Sequence, residues 1–514
     1  MLKRLLRSIF ALLTGQFLNV IGNLLLVPLF LSRWSSGVYG DWMALSAVVA
    51  YFGVTDLGVN SAAGNTMMAA YARGDLAVYR CIQTSAMAFY VGMALTLSVL
   101  AGVLSILFPI PAWIGIRNIP PVAAAWVTWL LASRLLWQMP AAQLGSIYRT
   151  TGNLAATQWF GNLQSIGLLA VTASILLLHG GVLHLALWGT LPMLVVTAGA
   201  WLSLRRSCPE LLPTLSGFSF AGVRELVLPS LQFGLIMISM ALTLQGPVVL
   251  VSMMLGGTAV ALLVTTRTMA NVVKQLVAPV QVALWPELTR LDAIGAEQTL
   301  RLAHRLLLIG SLTLSAAFAG TLWFEGASVL TIWTRGKLPV NIWLLRFFLL
   351  SVVLQSPWFA SSLFAMASNR HRRLARSYAI SAALSLATIV LLIPHYGLLA
   401  VPLGAIVGES LACYHFVIKD ACSVLKEEYG RFAMQLWSAV AMISCAAWGA
   451  GYLGHAVAIG PAPLRWLEVG IMTTLGAVSV AWCLALREDD RSHLECWTKL
   501  RWARFRSGGE QLPA

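Results

Sequence analysis

Apolar runs of about 20 residues recur from one end of this chain to the other, and they constrain its fold more than any other feature. A helix of that length spans a hydrocarbon core about 30 Å thick. Of the 514 residues, 59% are hydrophobic and only 10% are charged, whereas a soluble domain carries about 25% charged residues. The sequence therefore predicts an all-α polytopic membrane protein.

Fourteen transmembrane helices are predicted, and several are longer than a bilayer requires. They cover residues 8–31, 38–70, 80–107, 120–149, 154–178, 182–204, 227–254, 258–291, 299–323, 339–367, 374–394, 397–418, 431–453 and 464–486. Arg and Lys concentrate in alternate loops, which predicts that both termini are cytoplasmic. This asymmetry accounts for most of the net charge of +15, so we do not expect a nucleic-acid partner. The start, MLKRLLRSIF, leads into a run long enough to span, and we expect a first transmembrane helix rather than a cleavable signal peptide.

The chain divides into two halves that resemble each other weakly. A Pro- and Ser-containing stretch, residues 207–226, follows the sixth span and is typical of a linker. Gly74 to Arg80 after span 2 matches Gly295 to Arg301 after span 8, and Gln138-Met-Pro140 matches Gln355-Ser-Pro357. We therefore expect an N-lobe over 1–206 and a C-lobe over 227–423, followed by two further spans within 424–486 and a basic tail, 487–514. Repeats of this kind place a substrate site near the membrane midplane.

Span 8 combines strong apolarity with two cations, Arg267 and Lys274. They are seven residues apart, so two helical turns put them on one face, with Asn271 between them. Counting from Thr258, a rise of 1.5 Å per residue puts Arg267 roughly 14 Å deep. A cation at that depth normally faces a bundle interior or a water-filled cavity. We expect span 8 to form one wall of a cationic cavity.

Other polar residues fall inside predicted spans and are candidates for the same cavity. The cations and amides are Arg134, Gln138, Arg346, Gln16, Asn19 and Asn23; Asp56 and Glu409 are candidates for ion coupling. Each has a structural alternative. Arg134 and Arg267 would otherwise form ion pairs with Glu409 or Asp56, Lys274 and Arg346 would reach the headgroups, and the amides would bond neighbouring helices.

Motifs for catalysis and cofactor binding are absent from the sequence. It contains no glycine-rich phosphate loop, Walker lysine or nucleophile elbow. The seven cysteines are scattered and no His/Cys cluster has metal-ligand spacing, so we expect neither a metal nor another cofactor.

One known family has a similar pattern. The stretch VPLFLSRWSSGVYGDWMALSAVVAYFGVTDLGVNSAAGNTMMAAYARGDLAVYR resembles the oligosaccharide (Wzx-like) flippases of the multidrug/oligosaccharidyl-lipid/polysaccharide exporter superfamily. The likeness lies in L-x-R-W…YG-x-W, DLG and A-R-G-D. It implies a V-shaped pair of six-helix bundles in the bacterial inner membrane that alternates access. The implied cargo is a polyprenyl-pyrophosphate-linked oligosaccharide for surface polysaccharide assembly, with Arg134, Arg267 and Lys274 facing its anionic head. The implied partners are membrane lipids and the polysaccharide polymerase and chain-length machinery.

Charge supports this interpretation independently, since four intramembrane cations face two anions, and a low-dielectric cavity with excess positive charge attracts pyrophosphate. Three alternatives remain open. A multidrug or cation exporter of the same superfamily would need acidic residues deep in the N-lobe, where only Asp56 is evident. A peptidoglycan lipid-precursor flippase would use a similar cavity. A membrane-embedded glycan polymerase or ligase would need a larger external loop than any predicted here.

If the helix faces that carry Asn271 and Gln138 line a water-filled cavity, cysteines placed at these two positions will react with a membrane-impermeant thiol reagent. The measurement is labelling of each variant in a background from which the native cysteines have been removed. Protection of both positions under every condition would mean that these faces are packed.

Overall fold

The computed structural model describes residues 2–56, 59–214, 218–275, 277, 284, 288, 291–292, 295–367 and 371–486. Throughout these residues the regular structure is helical, with no strand. The predicted basic tail, 487–514, lies outside the described residues.

The helices before residue 256 account for the first seven predicted spans. They are α1 (Leu2–Arg33), α2 (Ser36–Ala50), α3 (Val59–Ala72), α4 (Leu76–Leu107), α5 (Ile110–Trp113), α6 (Pro121–Thr150), α7 (Leu154–Leu177), α8 (Val182–Trp188), α9 (Leu191–Ser207) and α10 (Phe220–Leu255).

The remaining helices begin with α11. They are α11 (Gly257–Ala270), α12 (Glu297–Trp333), α13 (Ile342–Ala367), α14 (His371–Tyr396), α15 (Ala400–Glu409), α16 (His415–Leu425), α17 (Tyr429–Val457) and α18 (Ala462–Val480).

The helices that could span a membrane confirm the predicted class, an all-α polytopic membrane protein. Within the described residues, eleven helices are long and apolar enough to cross a membrane. One of them, Arg373–Leu425, is 53 residues long and contains predicted spans 11 and 12. Helix α6 occupies span 4 but is less apolar than the eleven, and span 8 beyond Gln275 lies mostly outside the described residues.

In four of the predicted spans the α-helix is locally interrupted. Span 2 contains a 3₁₀ segment, Tyr51–Asp56, and span 6 breaks at Gly189 and Thr190. In span 8, helix α11 ends at Ala270 and Asn271 forms a turn, while span 12 contains a π-helical turn at Ser410–Tyr414. Apolar composition predicts membrane residence, but it does not reveal where the backbone ladder is locally broken.

The turns that mark the two predicted repeats fold alike. Gly74 and Gly295 both have left-handed backbone, with φ of 76° and 69°. In each turn the amide of the residue after the glycine donates to the carbonyl five residues before it. This is the Schellman geometry, which ends a helix at a glycine because the conformation needs no Cβ.

By internal contacts the chain forms two compact units. The first comprises Met1–Pro279, Leu330–Leu344 and Arg372–Ala412; the second comprises Val280–Val329, Leu345–His371 and Cys413–Ala514. Helices α10 and α11, from the predicted C-lobe, therefore belong to the same unit as α1 to α9. Division into two six-helix lobes stays a prediction.

Within the first unit, α2 and α11 meet through glycines. A Cβ built on Gly40 would lie 1.6 Å from the carbonyl oxygen of Gly257, so the backbones touch there. Asp41 lies beside this contact and is fully buried. Its Oδ2 accepts hydrogen bonds from the backbone amides of Arg117 (3.0 Å) and Asn118 (2.6 Å), which ties the turn before α6 to α2.

Replacing Gly40 by Ala will force α2 and α11 apart, because the obstacle is backbone that cannot rotate away. We expect a loss of about 1–3 kcal/mol in the free energy of unfolding, typical of overpacking, measured by thermal or denaturant unfolding in detergent. The matched control is Gly92→Ala on α4, where an added Cβ meets nothing within 4 Å. Equal stability of the two variants would contradict the close contact.

Candidate functional site

Arg267 lies in the last turn of α11 and is half-buried. Its Nη1 donates to the carbonyl oxygen of Leu244 at 2.7 Å. Leu244 lies three residues before Pro247 in α10, where the proline weakens the helical hydrogen-bond ladder. Within the described residues Arg267 forms no ion pair. A neutral carbonyl thus binds the guanidinium and does not cancel its positive charge. Part of the arginine surface stays exposed.

Lys274 and Glu409 come close to Arg267 within the first unit. Lys274 is half-buried and interacts electrostatically with both Glu409 and Arg267. Glu409 is the last residue of α15, directly before the π-helical turn, a feature that recurs at functional sites. Asn271, at the turn between the two cations, is also half-buried. The structure therefore groups three predicted site residues and adds Glu409 to them.

Arg134 is stabilised by the break in span 6. Its Nη1 lies 3.4 Å from the carbonyl oxygen of Gly189, immediately after α8. A Cβ on Gly189 would sit 2.9 Å from the same nitrogen, so only glycine leaves room for the guanidinium. The carbonyl end of a helix carries partial negative charge and favours a cation there. Arg134 is a cap for the broken helix, and no described carboxylate pairs with it.

The amides of the predicted cavity differ in their surroundings. Gln138, Asn19 and Asn23 are exposed, and Gln16 is half-buried. That these side chains line one cavity stays a prediction. On α7, by contrast, buried Asn162 donates to the carbonyl of Ala11 at 2.9 Å, so that amide serves helix packing.

Arg346 has a partner that the sequence did not reveal. Its guanidinium lies over the Trp323 ring, 5.0 Å from the centroid, within the second unit. A cation–π contact of this kind stabilises a charge away from water. The arrangement favours a packing role for Arg346.

Asp56 lies at the end of the 3₁₀ segment, in a polar cluster within the first unit. Tyr90 donates a hydrogen bond to its carboxylate, and the amide of Asn60 lies 3.4 Å from it. Arg149 donates to Asn60 Oδ1 at 2.7 Å and interacts electrostatically with Asp56. The sequence did not show that α3 and α6 bring Arg149 close to Asn60 and Asp56.

Two buried acids were missed, so the count of four cations to two anions is wrong. Asp41 lies within α2, and Glu325 lies in α12, which extends past the predicted end of span 9. Glu325 is fully buried; it accepts hydrogen bonds from His455 Nδ1 (2.6 Å) and Arg465 (3.0 Å). Glu325 is satisfied by its neighbours, whereas Oδ1 of Asp41 is buried without a hydrogen-bond partner among the described residues. Among the described residues, the distinctive feature is local: two cations, Arg267 and Lys274, lie near one acid, Glu409, at the end of α11.

The Asp56 cluster will behave as a coupled unit. Tyr90→Phe and Asp56→Ala should each cost about 1–3 kcal/mol of unfolding free energy, since each removes one partner of the hydrogen bond between buried Tyr90 and half-buried Asp56. The double variant should cost less than the sum, measured as a double-mutant cycle in detergent. Tyr71→Phe, at an exposed ring, is the control. Simple additivity would show that the contact is not energetically coupled.

Comparison with known proteins identifies the fold. No family model and no curated protein matches the sequence. Among solved structures, an inward closed conformation of the lipid II flippase MurJ is similar, with a TM-score of 0.68 and 13% identity over 92% of this chain and 98% of that one. An inward-facing multidrug resistance MATE family transporter of the MOP superfamily gives 0.67 and 14%, over 80% and 96%. A MATE crystal structure in complex with MaD3S gives 0.57 and 15%, over 82% and 97%. The chain is a multi-pass membrane protein with the all-α fold of these MATE and MurJ transporters.

Proposed function

We propose that the protein is a flippase that moves a polyprenyl-pyrophosphate-linked oligosaccharide across the bacterial inner membrane by alternating access. Both termini would be cytoplasmic, and the N-lobe, 207–226 linker and C-lobe would move about the cargo. The product would enter surface polysaccharide assembly, with a polymerase and chain-length machinery as partners.

The supporting observation is the group formed by Arg267, Lys274 and Glu409. Arg267 is bonded to a neutral carbonyl and Lys274 is near one acid, so two positive charges are offset by one negative charge. A diphosphate brings the charge that such a group lacks, and charge-assisted hydrogen bonds to it are strong in a site of low dielectric. Asn271, between the cations, offers an amide for a sugar or phosphate oxygen. An uncharged or cationic cargo would gain nothing from this arrangement.

The acids of the first unit argue against a multidrug or cation exporter. Such a protein needs an available carboxylate to hold its cargo or coupling ion. Asp41 accepts hydrogen bonds from two backbone amides. Asp56 accepts a hydrogen bond from Tyr90 and interacts electrostatically with Arg149. One oxygen of each carboxylate is therefore already engaged. Glu409 lies near Lys274 and remains a candidate for ion coupling.

A lipid-linked cargo is also consistent with the extent of the structural likeness. The lipid II flippase matches 92% of this chain and the MATE transporter 80%. The similar structures are a flippase and transporters, which agrees with a transport function for this chain. A peptidoglycan-precursor flippase shares the diphosphate chemistry and is the principal alternative.

Arg267→Ala will reduce export while leaving the protein inserted. Losing one charge-assisted contact of about 1.5–3 kcal/mol should lower the rate of export about 10- to 100-fold. The measurement is surface polysaccharide and accumulated lipid-linked oligosaccharide in cells whose own copy is deleted, with membrane levels checked by immunoblot. Arg73→Ala, an exposed arginine after α3, is the matched control. Normal export by a normally expressed Arg267→Ala protein would remove Arg267 from the site.

The deletion itself separates the two lipid cargos. Loss of a surface polysaccharide from cells that keep their shape supports the oligosaccharide. Lysis with accumulation of the peptidoglycan precursor would overturn that assignment in favour of the alternative.

A further inference from the structure

A cavity of about 700 Å³ lies within the first unit, between the ends of α4 and α6 that the α5 turn connects. Its size is within the range of sites for small ligands, about 300–1,000 Å³. Carbon atoms form nearly all of its walls. The principal wall residues are Val99, Gly102, Ile106, Pro121, Trp126 and Trp129.

The walls are held in place without a ligand. Trp129 Nε1 donates to the carbonyl of Ser98 at 3.0 Å, which fixes the indole across the two helices. Gly102 makes the space possible, because a Cβ there would approach that nitrogen to 3.1 Å. The turn that covers one end is tied to Asp41 through the amides of Arg117 and Asn118. A preformed apolar site binds without first paying the entropy of ordering its walls.

The helix that forms one wall of this cavity is apolar enough to face hydrocarbon. Leu76–Leu107 is the most apolar of the candidate membrane spans. At the rim, Ile106 is 84% exposed and Val122 is 72% exposed. Side chains of this kind on a spanning helix contact acyl chains, so the molecules with access to the cavity are lipids.

Polar features at one end match a lipid headgroup. Arg117 is exposed and directly follows Ile116, a wall residue. Trp113 and Trp126 are more than half exposed at the same end, and indoles are enriched at the headgroup level of a membrane. Aliphatic, indole and guanidinium side chains thus occur at this end of the cavity, and in kind they suit the chain, glycerol and phosphate of a phospholipid. An arginine favours an anionic headgroup.

We propose that this groove binds an anionic phospholipid, with one acyl chain between α4 and α6 and the phosphate at Arg117. The bound lipid fills the space behind the turn that Asp41 holds and so supports the contact between α2, α6 and α11. The site is separate from Arg267 and Lys274, and it does not depend on the identity of the transported cargo.

The test uses the full-length protein in nanodiscs that contain phosphatidylglycerol with a photoreactive group on its acyl chain. After irradiation, labelled peptides are identified by mass spectrometry. We expect labelling to concentrate in 99–129 and to fall at least fivefold in Ala125→Trp, whose indole fills the groove. Gly199→Trp, at an open and exposed position on α9, is the matched control and should label as the native protein does.

The headgroup part has its own measurement. Arg117→Gln should reduce labelling by phosphatidylglycerol at least twofold while leaving labelling by a phosphatidylethanolamine probe unchanged. Two results would overturn the proposal. In one, labelling is spread evenly over all exposed spans and Ala125→Trp matches Gly199→Trp. In the other, cysteines at Trp126 cross-link between copies, which would show that a second copy of the chain covers the groove.

Discussion

Keeping a guanidinium or ammonium group charged inside a membrane is the constraint on which this structure depends. An isolated charge in hydrocarbon is expensive, by amounts that range from a few to more than 10 kcal/mol. Here Arg267 and Arg134 bond to carbonyl oxygens and Arg346 to an aromatic face, while Lys274 lies near Glu409. Carbonyls and rings stabilise a cation without cancelling its charge. Charge is therefore retained at the end of α11, where an anionic headgroup can use it.

An interrupted helix supplies one of those carbonyls. Gly189 ends α8 where Arg134 needs an acceptor, whereas Leu244 lies within the continuous helix α10, three residues before Pro247. The same principle places acids, since Asp56 follows a 3₁₀ segment and Glu409 precedes a π-helical turn. Irregular backbone at membrane depth is tolerated only inside protein or beside water. A helix break thus offers an acceptor to a charged group, and the charged group satisfies the backbone at the break.

Close backbone contact stabilises the opposite kind of region, where no charge is displayed. At Gly40 and Gly257 two helices touch through their backbones, and beside them Asp41 Oδ2 accepts hydrogen bonds from two amides of the turn before α6. In lipid there is little hydrophobic gain from pressing helices together, so small residues and satisfied polar groups carry the packing. The apolar groove between α4 and α6 lies behind that turn. A lipid there would complete the packing that protein side chains leave unfinished.

Sequence alone determined the all-α membrane fold class, because apolar run length and the scarcity of charge depend only on composition along the chain. Its assignment of Arg267, Asn271 and Lys274 to one cavity stays a prediction, since it assumed a continuous helix and α11 ends at Ala270. The turns at Gly74 and Gly295 were evident in the same way, because local backbone sterics decide them.

Only the tertiary structure decided what each charge contacts. Arg149, on α6, contacts Asn60 in the Asp56 cluster although the two residues are 89 positions apart in the chain. Glu325 is enclosed by residues of α17 and α18. Helix packing brings Trp323 to Arg346 and Gly189 to Arg134. The helix breaks are evident only from the backbone hydrogen-bond pattern. Pairing of this kind depends on distances between segments remote in sequence, and a pattern along one chain does not contain those distances.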